Sequence, residues 1–521
     1  MPPLITYDEI RRYIEMTAYW PLEFWQQFEN DWLTYRVLPA AKRNPVYEGV
    51  ENIRDIEDLE DYPAIDWKDI ERKADEVGGL EKLITAEPVA FWKSSGTSGR
   101  QKIIWASEED LDMLRRVAGR GLFYFGLGPE TRALILGAPM GYGSMTVPLL
   151  TLNWLRETIG VPFTELGENR HKVFDNGRFE FLFTLPYVAH LLASKEEKRK
   201  LLKKYGKIPI LSNLLTFIAQ SKVEKAFKGC QLYMSGDFRT DFQDELFTNF
   251  FGRPSCMIYG STEVVEGGGE CFMEGERFHK NEMHPAFDNC IPLIIPLEEI
   301  EKERKDPNYE PKKYLLWKVP NETVGEAVFT VNSDCFVRIN YRTGDVIKKA
   351  QDSSNCPRKL PTFEVIGRAL RKVDEPELGL DGYEATIVKV AAAPFCVKYV
   401  FEALSRVRES GRIRDWFITL RYKGGKPEVV LYIEAEYLRN REALEAEILK
   451  AMRENIELEP FFIVTDMGMA EFRIEHLQGN TMEAVRNQKI KAFRAGDIPL
   501  GRLKIPKLVI DQNYFRTQGL F

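Results

Sequence analysis

Long apolar runs are missing from this 521-residue chain. The best, residues 291–297, includes two prolines and falls far short of the roughly 18 uncharged apolar residues that span a bilayer. A membrane-spanning helix is therefore excluded. A cationic surface is missing too: 72 lysines and arginines against 79 acidic residues leave a formal charge of −7. Nothing draws such a chain to nucleic acid or anionic lipid, so any nucleotide it binds is expected to be small. Paired cysteines are absent: Cys230, Cys256, Cys271, Cys290, Cys335, Cys356 and Cys396 are odd in number and never in CxxC spacing. That pattern predicts reduced thiols in a cytoplasmic protein. The first residues carry Asp8, Glu9, Arg11, Arg12 and Glu15, which breaks the apolar core a secretory signal needs. Histidine is scarce, and none of His171, His190, His279, His284 and His476 sits beside a Ser/Asp pair in hydrolase spacing.

The balance that is present, 44% apolar, 12% aromatic and 29% charged, belongs to folded globular proteins. The length predicts two to four domains at roughly 100–200 residues each. Residues 7–45 read as helical, with Tyr13, Tyr19, Trp20, Phe24, Trp25, Phe28 and Trp32 as anchors over a core, Pro21 as a break, and Pro39 and Pro45 as the exit. Between about 89 and 265, short β-rich runs (133–136, 179–184, 231–234) alternate with helical stretches (108–123, 240–251). This alternation predicts an α/β fold on a mainly parallel sheet. Residues 297–314 are charge-dense with two prolines and read as an exposed excursion. Residues 324–331 and 336–341 read as strands about the turn Asn332-Ser333-Asp334. Past Ile366-Gly367-Arg368 the pattern changes to strands at 416–422 and 428–434, a charged helix at 439–455 and a basic stretch at 489–507. These predict a large N-terminal α/β domain, 1–368, and a smaller mobile α+β domain, 369–521.

The most informative run is Ser94-Ser95-Gly96-Thr97-Ser98-Gly99-Arg100-Gln101-Lys102, between two apolar runs. The glycines permit tight turns that present N–H groups, the hydroxyls add donors and Lys102 adds charge, as a phosphate cradle requires. The spacing is not that of a P-loop, and in isolation the run reads equally well as a flexible surface loop. Further polar loops break the tie. Tyr259-Gly260-Ser261-Thr262-Glu263 follows an apolar strand and offers a carboxylate to magnesium, which takes oxygen ligands and shares them with phosphates. Ser235-Gly236-Asp237 ends another strand, and in parallel sheets the carboxyl ends of strands line the ligand crevice. Tyr341-Arg342-Thr343-Gly344-Asp345 supplies a carboxylate suited to the two hydroxyls of a ribose.

In these motifs, and in Ile366-Gly367-Arg368, the chain resembles the adenylate-forming superfamily of acyl-CoA synthetases, most closely its phenylacetate-CoA ligase branch. The looser matches YWPLEF at 19–24, IEDLEDYPAIDWKDI at 56–70, MGYGSM at 140–145 and GRLKIPKLVID at 501–511 extend the resemblance over almost the whole chain. It implies a two-step reaction: a carboxylate attacks the α-phosphate of ATP to give acyl-AMP, and the coenzyme A thiol then displaces AMP. By the family pattern Ser94 to Gly99 and Lys102 wrap the phosphates, Tyr259 to Thr262 line the nucleotide site with Thr262 on the α-phosphate, and Glu263 binds magnesium. Ser235, Gly236 and Asp237 lie against adenine, and Asp345 and Arg368 at the ribose. Tyr142, Gly143 and Met145 match the glycine-rich segment of the acid pocket, where the surrounding aromatics suit an aryl or medium apolar acid; ordinary core is the alternative.

The family also keeps a C-terminal lysine that stabilises the adenylation transition state, here assigned to Lys504, with Lys507 expected on a solvated face. At the hinge, the Gly-Arg-x-Asp-Asp of the family becomes Gly367-Arg368-Ala369-Leu370-Arg371, so its two aspartates are replaced by Leu370 and Arg371. Cys271, His279 and Cys356 fall where some members of the branch carry zinc ligands, and Cys335 completes a Cys₃His set suited to a structural zinc; small core thiols are the alternative. Rival readings change the acceptor to an amine, a carrier thiol or a deazaflavin, or make the chain a non-catalytic nucleotide sensor.

Overall fold

The computed structural model describes residues 6–94, 102–162, 177–193, 223–236, 239, 241–273, 275–306, 308–350, 356–368, 371–375, 380–384, 387–390, 393–408, 413–423, 426–435, 441–455, 458–477, 481–495 and 507–511. Among these, twelve strands form one sheet. Its first half is parallel, in the spatial order Glu157–Pro162, Arg132–Gly137, Phe181–Thr184, Gln231–Met234 and Cys256–Tyr259. Apart from the edge strand Glu157–Pro162, these strands are short and largely buried on both faces, as a sheet covered on both sides requires. From there the sheet turns antiparallel through Gly268–Glu270, Glu282–Pro285, Phe363–Arg368, Arg338–Lys349, Val324–Val331, Cys290–Pro296 and Tyr314–Leu315. A hairpin of Ala90–Lys93 and Ile103–Ala106 stands apart. A second sheet of six strands begins with Arg371–Glu375 and contains Ile413–Lys423, Lys426–Ala435 and Leu508–Asp511.

The N-terminal helices form where capping and apolar spacing agree. Thr6 and Glu9 close a capping box on helix Tyr7–Thr17, whose Ile10 and Ile14 lie against Gly119 of helix Glu108–Tyr124. A Cβ on Gly119 would come within 2.4 Å of Ile10 Cγ2, so glycine sets the close approach of the two helices. Pro21 sits at the N-cap of the next helix, Leu22–Trp32, where its missing N–H costs nothing. Trp25 and Trp32 are buried as expected, but Tyr19 and Phe24 are exposed; they fall on the outward face of the helix turns and cover no core.

Two other expectations hold only in part. The 297–314 segment is no free excursion: Leu297–Lys305 is helical, Ile300 is buried, and Glu299 accepts hydrogen bonds from Lys302, Tyr309 and the Lys312 N–H. Its Glu303 grips the Arg342 guanidinium. Charge density here reports pairing as well as exposure: Glu298, Lys302, Asp306, Glu310 and Lys312 are exposed, Lys302 even as it pairs with Glu299. The strand expected at 336–341 starts two residues later and runs further, as Arg338–Lys349, so that it carries the whole Tyr341–Asp345 motif. Register breaks between Glu326 and Val328 on its partner let the motif bulge, which re-aims side chains without ending the ladder.

Candidate nucleotide site

The neck of the glycine/serine loop is closed by two hydrogen bonds, Ser94 N–H to Lys102 O at 2.9 Å and Lys102 N–H to Ser94 Oγ at 2.9 Å. Ser95, Gly96, Thr97, Ser98 and Gly99 lie outside the described residues. From this neck the Lys102 ammonium reaches the Glu263 carboxylate, which it contacts directly, and the Tyr341 hydroxyl at 3.1 Å. Tyr341 OH in turn donates to Glu263 Oε1 at 2.9 Å. Burial works against a charged Glu263, but Lys102 and the Tyr341 hydroxyl outweigh it and hold the carboxyl below its ordinary range. The Tyr341 hydroxyl, buried beside that carboxylate, is pushed well above the usual phenol value. The result is an ionised, buried carboxylate at the mouth of a phosphate-type loop.

Each partner is placed by a different element. Tyr341 is fixed because the 56–70 segment lies alongside it: Ile65 N–H donates to Asn340 O at 3.1 Å and Arg342 N–H to Ile65 O at 2.8 Å. That segment also brings the Trp67 ring to 5.6 Å from the Lys102 ammonium. Thr262 is held through its carbonyl, which accepts from Trp92 Nε1 at 2.8 Å. Gly260 has no room for a side chain, since a Cβ would lie 2.0 Å from the Val265 carbonyl oxygen. On the other side of the strand end, Tyr259 OH donates to Asp345 Oδ2 at 2.8 Å, while Asp345 pairs with Arg368 across the ladder. The 259–263 and 341–345 motifs thus meet through two hydrogen bonds, Tyr341 to Glu263 across 78 residues of sequence and Tyr259 to Asp345 across 86.

The other expected site residues divide. Ser235 and Gly236 follow strand Gln231–Met234, with Gly236 at φ 87°, while Asp237 lies outside the described residues. Tyr142 and Gly143 adjoin the site: Lys93 N–H donates to Gly141 O at 2.8 Å, and the Trp92 ring covers Gly143. Met145 is buried against Gly160 of the sheet edge. Lys504 lies outside the described residues. Lys507 does not sit on a solvated face: its ammonium donates to Asp415 Oδ1 at 2.6 Å and to Trp416 O at 2.8 Å, and Asp415 is buried. Strand Leu508–Asp511 runs beside Ile413–Lys423, which delivers Lys507 to that acid.

The cysteine prediction is half corrected. Cys271 and Cys356 do meet, Sγ to Sγ at 3.5 Å, and His279 lies beside them. Cys335 does not join: its thiol lies 3.5 Å from Ala86 O, and the ligand atoms that do gather are those of Cys271, His284 and Cys356. His284 takes the place instead, with Nε2 at 3.2 Å from Cys356 Sγ. The donor chemistry of two thiols and two imidazoles fits a metal, and His279 Nε2 is buried with no hydrogen-bond partner among the described residues. Sequence reasoning also missed Trp67, Trp92 and Tyr341, whose motif neighbours were in view; alternation marks them only as apolar, and nothing in one sequence says where a strand aims them.

No family model matches the chain, and no curated protein matches it in sequence. Solved structures do. The 2-hydroxyisobutyryl-CoA ligase in its postadenylation state with 2-HIB-AMP matches over 93% of this chain and 91% of its own, with a TM-score of 0.60 at 13% identity. The acyl acid amido synthetase AtGH3.15 in complex with 2,4-DB matches over 99% and 97%, with a TM-score of 0.61 at 13% identity. With its sheets, loops and carboxylates so arranged, the chain has the fold of the adenylate-forming ligases.

Proposed function

We propose that this chain is an ATP-dependent ligase that activates a carboxylic acid as acyl-AMP and transfers the acyl group to the thiol of coenzyme A. The observation that carries the reading is the Lys102–Glu263–Tyr341 cluster at the neck of the glycine/serine loop, with Asp345 held by Tyr259 close by. Attack of one anion on another needs positive charge and donors around the phosphate, and a geometry fixed before the reaction. Lys102 supplies the charge, the Ser94–Gly99 backbone and hydroxyls supply donors, and Thr262, tethered by Trp92, faces the α-phosphate. Asp345 orients the ribose, with Arg368 beside it, and Ser235, Gly236 and Asp237 adjoin adenine. Glu263 is the residue suited to magnesium, which shares carboxylate and phosphate oxygens. When bound, the metal neutralises phosphate charge. Lys504 completes the positive set during adenylation.

The acid is aryl or medium apolar, received near Tyr142 and Gly143. Pyrophosphate release on adding ATP and a panel of such acids tests adenylation; AMP and thioester formation with coenzyme A, against amines as competing acceptors, tests the second step. Pyrophosphate without thioester, but with amide, replaces coenzyme A by an amine. Nucleotide binding with no pyrophosphate under any acid makes the chain a sensor.

A further inference from the structure

One residue in the turn that carries Thr262 and Glu263 has a backbone its side chain disfavours. Val265 lies at φ 67°, in the left-handed region, where a β-branched residue is crowded by its own backbone. The other non-glycine residues with positive φ among the described residues are Asn281, Glu322, Asn340 and Lys359, and none of them is β-branched. The hydrogen bonds of the turn explain where the strain falls. Ser261 Oγ accepts from Val264 N–H at 3.1 Å and Ser261 O from Val265 N–H at 2.8 Å, so residues 261–265 make one helical turn. A residue in the left-handed region ends such a turn, and glycine is the usual choice because it has no Cβ to crowd. Here valine stands in that place, packed against the apolar cluster of Trp92 and Tyr341.

A strained residue persists only where its surroundings hold it. Asn289 is placed to do so. Its Nδ2 donates to Val264 O at 2.7 Å and to Glu266 O at 2.6 Å, the carbonyls of the residues on either side of Val265. Both N–H groups of the amide are thus committed to the flanks of a single residue. Asn289 is itself fixed: it is buried, its N–H donates to Ala286 O at 2.7 Å, and its carbonyl accepts from Asn332 N–H at 2.8 Å. Gly267 N–H closes the far end of the turn on Tyr259 O at 2.9 Å. Thr262 and Glu263 are therefore held on one side by Trp92, through the Thr262 carbonyl, and on the other by Asn289.

We propose that Asn289 is a positioning residue for adenylation: it holds Val265 in the left-handed region and so sets where Thr262 and Glu263 stand. It acts through the turn and not on the substrate. Without its two donors the carbonyls of Val264 and Glu266 lose their partners, and the turn relaxes toward an ordinary valine conformation, which carries Glu263 away from Lys102 and Tyr341. The catalytic half of the proposal rests on the ligase reading; the backbone half does not.

Asn289→Leu keeps the size of the side chain and removes both donors. Pyrophosphate release with ATP and the acid panel should slow by about 10-fold or more per folded chain. The backbone amides of residues 264–267 should exchange with deuterium at least about tenfold faster. What separates positioning from general support is rescue. Glycine keeps the left-handed conformation unaided, so Val265→Gly should speed the Asn289→Leu protein by at least about threefold while gaining nothing in the parent. Should Asn289→Leu fail to fold, Asn289→Ser, whose hydroxyl serves at most one of the two carbonyls, takes its place in every measurement with the same directions expected. Exchange at 264–267 unaltered by the substitution overturns the clamp. Faster exchange with the rate unchanged, or a loss of rate that Val265→Gly does not relieve, overturns the positioning role and leaves Asn289 as ordinary support. A parent that releases no pyrophosphate with any acid overturns the ligase reading and with it the catalytic half, and exchange alone then decides the clamp.

Discussion

Burying a carboxylate and an ammonium together costs the hydration of both, and the pair persists only where geometry and further hydrogen bonds offset that cost. Lys102 and Glu263 meet the condition through Tyr341, which bonds to both. Glu263→Gln keeps the shape and the Tyr341 bond but removes the charge, so adenylation should slow by about 100-fold or more, with the melting temperature shifted by only a few degrees. Pyrophosphate release and calorimetry on the same sample check both halves. Glu29 is the opposite case. It is wholly buried and neither carboxyl oxygen has a hydrogen-bond partner among the described residues. Burial, with Asp288 nearby, raises its pKa well above the ordinary value. The unfolded chain loses this proton near pH 4.3, so above that pH the folded state holds a proton the unfolded state has given up. The group's contribution is therefore full below about pH 4.3 and declines as pH rises toward the folded value. Glu29→Met should stabilise by on the order of 1 kcal/mol at pH 8 and by less at pH 5. Equal gains at both pH values would mean that Glu29 ionises freely where it stands.

At the scale of elements, strand ends and turns do the positioning. Gly260→Ala would force its new Cβ against the Val265 carbonyl, a backbone atom that cannot swing aside, and the turn carrying Thr262 and Glu263 must shift. A loss of about 10-fold or more in adenylation is expected, since small misplacements at a reacting centre cost that much; unchanged turnover would show that the turn tolerates the shift. Much of this layer was legible in the chain itself. Strand Gln231–Met234 and strand Val324–Val331 match their apolar runs, and helix Glu108–Tyr124 begins where Ser107 and Asp110 write a capping box. What was not legible depended on long-range partners. The charges of 297–314 look solvated until Arg342 is known to lie against Glu303, and Tyr341 looks like core until Lys102 arrives from 239 residues away. His284 was passed over for Cys335 because spacing in sequence says nothing of which strands lie side by side.

At the scale of the whole molecule, the large sheet meets the C-terminal part through a small apolar cluster of Val346, Ile366 and Cys396, and through an ion pair between Glu364 and Lys398 of helix Val397–Arg408. Lys507 is half-buried and tied to the interior of the second unit: it and Arg486 both pair with buried Asp415. Lys507→Ala should therefore lower stability by about 1–3 kcal/mol without acting on one half-reaction more than the other. Lys504→Ala should do the reverse, blocking ATP plus acid while still converting a synthetic acyl-AMP to thioester. A Lys507 variant that folds as well as the parent but cannot adenylate would exchange these roles. The account rests most heavily on the α-phosphate being the point of attack. Its most direct test is nucleotide analysis after mixing the protein with ATP, magnesium and a panel of aryl and medium apolar carboxylic acids. The account predicts AMP and pyrophosphate in equal amounts, released only when a suitable acid is present; ADP and inorganic phosphate, or tightly bound ATP that no acid turns over, would contradict it.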